Sequence, residues 1–159
     1  MRPSILCAAM LLCGSVLAAP APEKLNGKLL KVDFSSALVS DVVQGKAGEW
    51  KPTSAAPILV QFPADEGQRF TIQCNELSSG EEDTCPPLVV SYAPQGEMAV
   101  LMVTGHSLFL VLTLNFDTPD SGTASLSMTV NERDRLARDA DFRLLPATSS
   151  GGRMELPCD

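Results

Sequence analysis

Three cysteines offer the clearest chemistry in this chain: Cys74, Cys85 and Cys158 all lie outside an apolar N-terminal stretch. Cys74 ends a run of β-forming residues, and Cys85 comes just before the next such run, so a disulfide between them would close the polar loop 75–84. In the chain-entropy model, closing a loop this short contributes on the order of 2–3 kcal/mol. We predict a Cys74–Cys85 disulfide. The alternative, Cys74 with Cys158, would instead fasten the carboxyl terminus to the sheet.

The loop that this disulfide would close is acidic, because it contains Glu81, Glu82 and Asp83 in succession. Carboxylates at the rim of an interface accelerate association with a cationic partner. Trp50, the single tryptophan, lies in a polar stretch between β-forming runs. Large aromatic residues in such loops either anchor an interface or close the end of a β-sandwich. We predict that Glu81, Glu82, Asp83 and Trp50 are binding residues, with the structural role as the alternative for Trp50.

Catalytic and metal-binding patterns are poorly represented. The chain has one histidine, His106, in the turn-like stretch Gly105-His106-Ser107. No Gly-x-Ser-x-Gly motif is present, and a zinc site would need four ligands, commonly in paired Cys-x-x-Cys spacing. We therefore expect no catalytic residue, no metal site and no cofactor.

The first residues have the layout of a secretory signal peptide. Arg2 precedes an apolar run over 5–17, and the small residues Val16 and Ala18 stand where cleavage after Ala18 requires them. The apolar run is shorter than the ~20 residues that a membrane-spanning helix needs. We expect a signal peptide over 1–18, a disordered lead-in over 19–24 and a single all-β domain over 25–159. Export would place the protein in the periplasm or outside the cell, where disulfides persist.

The composition is acidic, with 12 Lys and Arg against 19 Asp and Glu and a formal net charge of −7. Loss of the leader would remove Arg2 and make the mature protein one unit more negative. Such a surface repels nucleic acid and anionic membranes and favours encounter with a cationic protein, although acidity also serves simple solubility. We expect a protein partner, no nucleic acid and no membrane insertion.

Short β-forming runs alternate with turn residues along most of the chain, as in a sandwich or small barrel. From Leu108 to Phe116, every second residue is a large apolar one, and the opposite face is half apolar, which predicts a central strand. The short connections near Gly96, Gly105 and 117–122 favour a C-terminal antiparallel meander. The predicted strands are Lys28–Phe34, Leu38–Val43, Pro57–Phe62, Arg69–Cys74, Leu88–Tyr92, Met98–Val103, Leu108–Phe116 and Thr123–Val130.

One segment has charges spaced for a helix. Over 131–140, Asn131 could serve as the N-cap, and Asp134 with Arg138, like Arg135 with Asp139, is separated by four positions. Leu136 supplies most of its apolar character, so a charged turn between two strands is the alternative. The predicted fold class is a single antiparallel β-sandwich or small barrel, all-β, with a C-terminal meander and at most one short helix.

The order of Cys74, the apolar run at Val89-Val90 and the Gly105 turn resembles the small periplasmic inhibitors of C-type lysozyme. Those proteins bind cationic lysozymes through a Ser-Gly-x-x-Tyr loop. Here Ser121-Gly122 is followed by Thr-Ala-Ser, so the tyrosine is missing, and we do not assign the chain to that family. The acidity and the scarcity of catalytic patterns lead us to expect an exported binding module, such as an inhibitor or immunity protein against a cationic envelope-acting enzyme. The alternative is a structural or assembly protein of the cell envelope that accepts a partner's strand at a sheet edge.

Overall fold

The fold is all-β, in a computed structural model that describes residues 18–64, 71–73, 89–105, 108–130 and 132–147. All pairings between its strands are antiparallel. The strands are β1 (Lys28–Asp33), β2 (Leu38–Val43), β3 (Lys46–Ala47), β4 (Lys51–Pro52), β5 (Ile58–Gln61), β6 (Thr71–Gln73), β7 (Val89–Gln95), β8 (Met98–Thr104), β9 (Leu108–Thr118), β10 (Ser121–Val130) and β11 (Arg133–Pro146). The predicted class of antiparallel sandwich or small barrel is therefore confirmed.

The strands form one sheet in the order β6-β5-β1-β11-β10-β9-β8-β7, with β2 also paired to β11 and the short strands β3 and β4 attached to β2. The strands β7 to β10 follow each other as a meander, as predicted, β11 extends this meander by one strand, and β9 lies between β8 and β10. Each strand predicted between Lys28 and Val130 has a counterpart among the described residues, and where the predicted ends are described they differ by at most a few residues. The alternation of apolar and polar residues was sufficient to predict these strands, because each strand buries one face.

The helix considered for 131–140 was wrong, because this segment begins the longest strand, β11. One edge of β11 pairs with β10 along its length, and the other pairs first with β2 and then with β1. Charge pairs four residues apart stabilise a helix by only a few tenths of a kcal/mol each. Backbone pairing on both edges and burial of Ala137 and Ala140 outweigh that contribution.

The core lies on one face of the sheet and forms a single cluster of buried side chains. β9 contributes the most regular row, Leu110, Leu112, Leu114 and Phe116, each at most 1% exposed. Phe116 meets Phe142 of β11 edge to face, with 4.9 Å between ring centroids. Nearby, the register between β9 and β10 shifts at Gly122, where a Cβ would overlap the carbonyl oxygen of Asn115, so this irregularity requires glycine.

The segment 19–24, for which we predicted disorder, lies against the sheet. The Ala19 N–H donates to the Phe116 carbonyl (3.1 Å), and the Ala21 N–H donates to the Gly96 carbonyl (2.7 Å). The Tyr92 hydroxyl donates to the Pro22 carbonyl at 2.8 Å. These contacts give backbone groups of this Pro- and Ala-rich segment partners on β9, on β7 and in the turn between β7 and β8. The leader prediction concerns residues that lie, except for Ala18, outside the described ones.

Candidate functional site

The outer surface of β7 to β10, opposite the core, is built from uncharged side chains. It is formed by alternate residues of four adjacent strands, and we call it the uncharged face. Its members are Val89, Ser91, Ala93, Met98, Val100, Met102, Thr104, Phe109, Val111, Thr113, Asn115, Thr123, Ser125, Ser127 and Thr129.

Large apolar side chains of this face are open to solvent. Val89 is 66% exposed, Met98 43%, Phe109 42% and Met102 38%. The strand register brings Val89, Met102 and Phe109 close together, because Thr104 pairs with both Val89 and Phe109, and Met102 lies opposite Val111. Met98 lies at the other end of β8. Leaving such side chains in water sacrifices the hydrophobic stabilisation that burial would provide. Exposed apolar clusters on a soluble protein are typical of interaction surfaces, so this face is the candidate binding site.

Acidic residues border the uncharged face at the strand ends. Glu97 lies in the turn between β7 and β8, and Asp117 and Asp120 lie at the turn between β9 and β10. At the opposite end, Glu132 and Asp134 flank Arg133, and the Asp134 carboxylate accepts a hydrogen bond from the Thr129 hydroxyl at 2.6 Å. An apolar centre with a polar rim is the usual composition of a protein interface.

A second outer surface, on β1 and β11, is charged. Lys31 and Asp33 of β1 face Arg143 and Asp141 of β11 in the register, and together with Asp117 they line a groove of about 600 Å³. We call this the charged face. The Ser35 N–H donates to the Asp33 carboxylate at 3.0 Å, and this bond is the main reason that the pKa of Asp33 is lowered.

Of the predicted binding residues, Trp50 is among the described residues and the three acidic ones are not. Glu81, Glu82 and Asp83 lie outside the described residues, and so does the predicted Cys74–Cys85 disulfide with its alternative at Cys158. These assignments remain predictions.

Trp50 is described, and it is half-buried in the stretch between β3 and β4. The guanidinium carbon of Arg138 lies 4.5 Å from its ring centroid, in a cation–π contact. The ring therefore already has a partner within the protein, and an anchoring role for Trp50 remains a prediction.

An apolar cavity of about 270 Å³ opens between β2, the segment 53–56 and the ends of β10 and β11. Phe34, Leu126 and Met128 form part of its lining, and Asp41 and Arg135 form an ion pair (3.2 Å) beside it. Its apolar walls continue the core, and no cluster of His, Cys, Asp or Glu suited to a metal ion occurs among the described residues. The same part of the chain has no helix long and apolar enough to span a membrane.

Tyr92 on β7 is the one tyrosine of the chain and joins the segment 19–24 to the sheet. Burial raises its pKa to about 12, because the phenolate is poorly solvated there. Its hydroxyl donates to a carbonyl, which only the neutral form can do. Tyr92 is therefore a structural contact in its neutral form.

The apolar members of the uncharged face were not predicted as functional residues, although the sequence contained a signal. Phe109 and Val111 interrupt the polar face of β9, and we interpreted them as evidence for a central strand. The strand is central, but these side chains remain outside the core. Comparison of the chain with models of protein families, with curated proteins and with solved structures finds no match.

Proposed function

We propose that this protein is an exported binding module that recognises a protein partner through the uncharged face. The observation that carries the proposal is the group of exposed apolar side chains on adjacent strands, Val89, Met102 and Phe109, in a surface without charged side chains. These side chains lie outside the core, which is already packed by the buried row of β9 on the other face of the sheet. Stability of the fold therefore does not require them to be apolar. Binding would bury them and recover about 25 cal/mol for each Å² of apolar surface removed from water.

The partner we propose is a cationic enzyme that acts on the cell envelope, with this protein as its inhibitor or immunity factor. Support comes from the net charge of −7 and from the acidic residues at the strand ends, among them Glu97, Asp117 and Asp134. A predominance of acidic side chains at the rim raises the association rate of a cationic partner more than it raises the final affinity. A periplasmic or secreted location is proposed from the leader pattern over Met1–Ala18.

The test first captures the partner protein and then measures its affinity for variants of this protein. The mature protein is immobilised, exposed to an envelope extract at low and at high salt, and the captured protein is identified and purified. Its affinity is then measured for the wild type, for Met102→Ser with Phe109→Ser, and for the matched control Lys31→Ser with Arg143→Ser on the charged face.

We expect the first pair to weaken binding by at least about tenfold, equivalent to about 1.4 kcal/mol, because exposed apolar anchors dominate interface energies. The control pair should change affinity by less than about threefold, and high salt should slow association. Equal effects of the two pairs, or no effect of the first, would contradict the proposal.

A structural or assembly role in the cell envelope is the second candidate. The observation that favours it is the position of β7 at the end of the sheet, where it pairs with β8 alone among the described strands. An edge strand of this kind can accept an extended segment of another protein. Salt-insensitive capture of a multi-protein assembly would favour this role over inhibition.

A further inference from the structure

We infer that two copies of this protein associate through their β7 strands, antiparallel and centred on Tyr92, so that their sheets become one continuous sheet. This inference concerns the edge of β7 that pairs with no other described strand, whereas the proposed recognition of a protein partner concerns the face formed by β7 to β10.

The hairpin between β7 and β8 determines which backbone groups point outward. Gln95 pairs with Met98 around the tight turn Gly96-Glu97, in which Gly96 has a φ of 65°. The residues that close a two-residue hairpin exchange hydrogen bonds, and pairs then alternate along the ladder. Gln95, Ala93, Ser91 and Val89 therefore bond to β8, and the backbone groups of Val90, Tyr92 and Pro94 point to the free edge.

The position of Pro94 agrees with this assignment. Proline has no N–H, so it is tolerated in a strand only where no ladder bond requires a donor. Facing outward, Pro94 still offers its carbonyl as an acceptor. Among the described residues, no backbone hydrogen bond engages the N–H of Val90 or Tyr92 from that side.

Antiparallel pairing of two copies about Tyr92 satisfies these groups. The N–H of each Tyr92 meets the carbonyl of the other Tyr92, and each Val90 N–H meets the carbonyl of the other Pro94. Because proline has no N–H, the Val90 carbonyl of each copy receives no hydrogen bond from Pro94 of the other copy. The other outward groups of Val90, Tyr92 and Pro94 are all paired. On the outer side, Ser91 of one copy lies opposite Ala93 of the other, and both side chains are small and exposed.

The edge lacks the features by which proteins prevent such pairing, apart from Pro94. β7 carries no charged side chain, and its register with β8 is continuous, without a bulge. By contrast, the outer strands beside β2 are short and carry Lys46 or Lys51.

The self-complementary order of outward groups along β7 favours a second copy as the occupant, because pairing about Tyr92 places donors of each copy opposite acceptors of the other. Two molecules with a net charge of −7 repel each other over most of their surfaces, but at β7 they meet without opposing like charges. The pairing is also isologous, so it closes at a dimer. A single pair of seven-residue strands buries less than a standard interface, and we expect a reversible dimer with a dissociation constant in the micromolar range.

The experiment measures sedimentation equilibrium of the mature protein alone over a range of concentrations. A reducing agent is present throughout, so that a disulfide through a cysteine such as Cys158 is not mistaken for this dimer. The test variant is Ser91→Lys with Ala93→Lys, which places lysines opposite each other across the proposed pairing. The control, Ser125→Lys with Ser127→Lys on β10, adds the same charge to the same outer surface, with two strands between it and the edge.

We expect the wild type and the control to dimerise alike and the β7 variant to dimerise at least about tenfold more weakly, with similar melting temperatures for all three. Amide hydrogen exchange gives a second measure. The N–H groups of Val90 and Tyr92 should become protected as concentration rises, whereas that of Ser91, already bonded to β8, should not change. A monomeric wild type, equal weakening by both lysine pairs, or no added protection at Val90 and Tyr92 would overturn the inference. None of these results depends on capture of a foreign partner.

Discussion

The uncharged face on β7 to β10 and the charged face on β1 and β11 are two parts of one sheet surface, and both lie over the same core. On the charged face, Lys31 and Asp33 form an ion pair of 3.6 Å, and lysine, arginine and aspartate alternate across the strands. On the uncharged face, the equivalent positions hold Met, Val, Phe, Ala, Ser, Thr and Asn. Folding requires only that the inner face be apolar. The difference between the two outer faces is therefore not required by the core that they share.

Substitutions on opposite sides of β9 test whether the uncharged face is open, and they should give the largest effect. Leu112, fully buried, and Val111 are neighbours in sequence but point to opposite faces. Leu112→Ala should lower the free energy of unfolding by about 2–5 kcal/mol, because it leaves a cavity. Val111→Ser should cost less than about 1 kcal/mol by chemical denaturation. A cost at Val111 close to that at Leu112 would mean that the outer surface of β9 is covered in the folded protein.

Tyr92→Phe tests the inner side of β7, beneath the uncharged face. Loss of the hydrogen bond to the Pro22 carbonyl should cost about 1 kcal/mol and make residues 19–24 easier to cleave by protease. Limited proteolysis and denaturant unfolding at neutral pH measure both effects. An unchanged cleavage rate would show that this contact does not hold the segment.

The same residue predicts how stability depends on pH. The pKa of Tyr92 is raised to about 12 in the folded protein, above its value of 10.0 in an unfolded chain, so its contribution is complete below about pH 10 and is lost as the pH rises towards 12. Because the chain has one tyrosine, the absorbance change on tyrosinate formation reports this group alone. Titration near the ordinary value of 10 would contradict the burial of Tyr92. Tyr92→Phe, which has no phenol to ionise, is the control.

The smallest effect is expected at the margin of the charged face, where Lys28 and Asp120 form an exposed ion pair of 3.2 Å. A double-mutant cycle with Lys28→Ala and Asp120→Ala should give a coupling of about 0–1 kcal/mol that decreases at high salt. The cycle Met102→Ala with Val111→Ala, on the uncharged face, should give a coupling that salt does not reduce. Salt sensitivity of the second cycle would show that the two faces do not differ in the way their chemistry indicates.

The sequence by itself determined the strands β7 to β10 and their core-facing residues, because alternation with a period of two can be identified without knowing which strands are neighbours. In β9, Leu110, Leu112 and Leu114 can share only one face of a strand. The turns followed from local chemistry as well, as at Gly96, where a left-handed backbone favours glycine.

Tertiary structure decided two features that local sequence patterns do not predict: the strand β11 and the uncharged face. Residues 133–146 became a strand because β10 lies on one edge and β1 and β2 lie on the other, and such long-range pairing outweighs charge spacing within the segment. The uncharged face also forms only when the strands pair. Val89, Met102 and Phe109 are separated in the sequence, and the register of β7, β8 and β9 makes them neighbours. A surface shared by several strands depends on lateral order, and no single strand encodes that order.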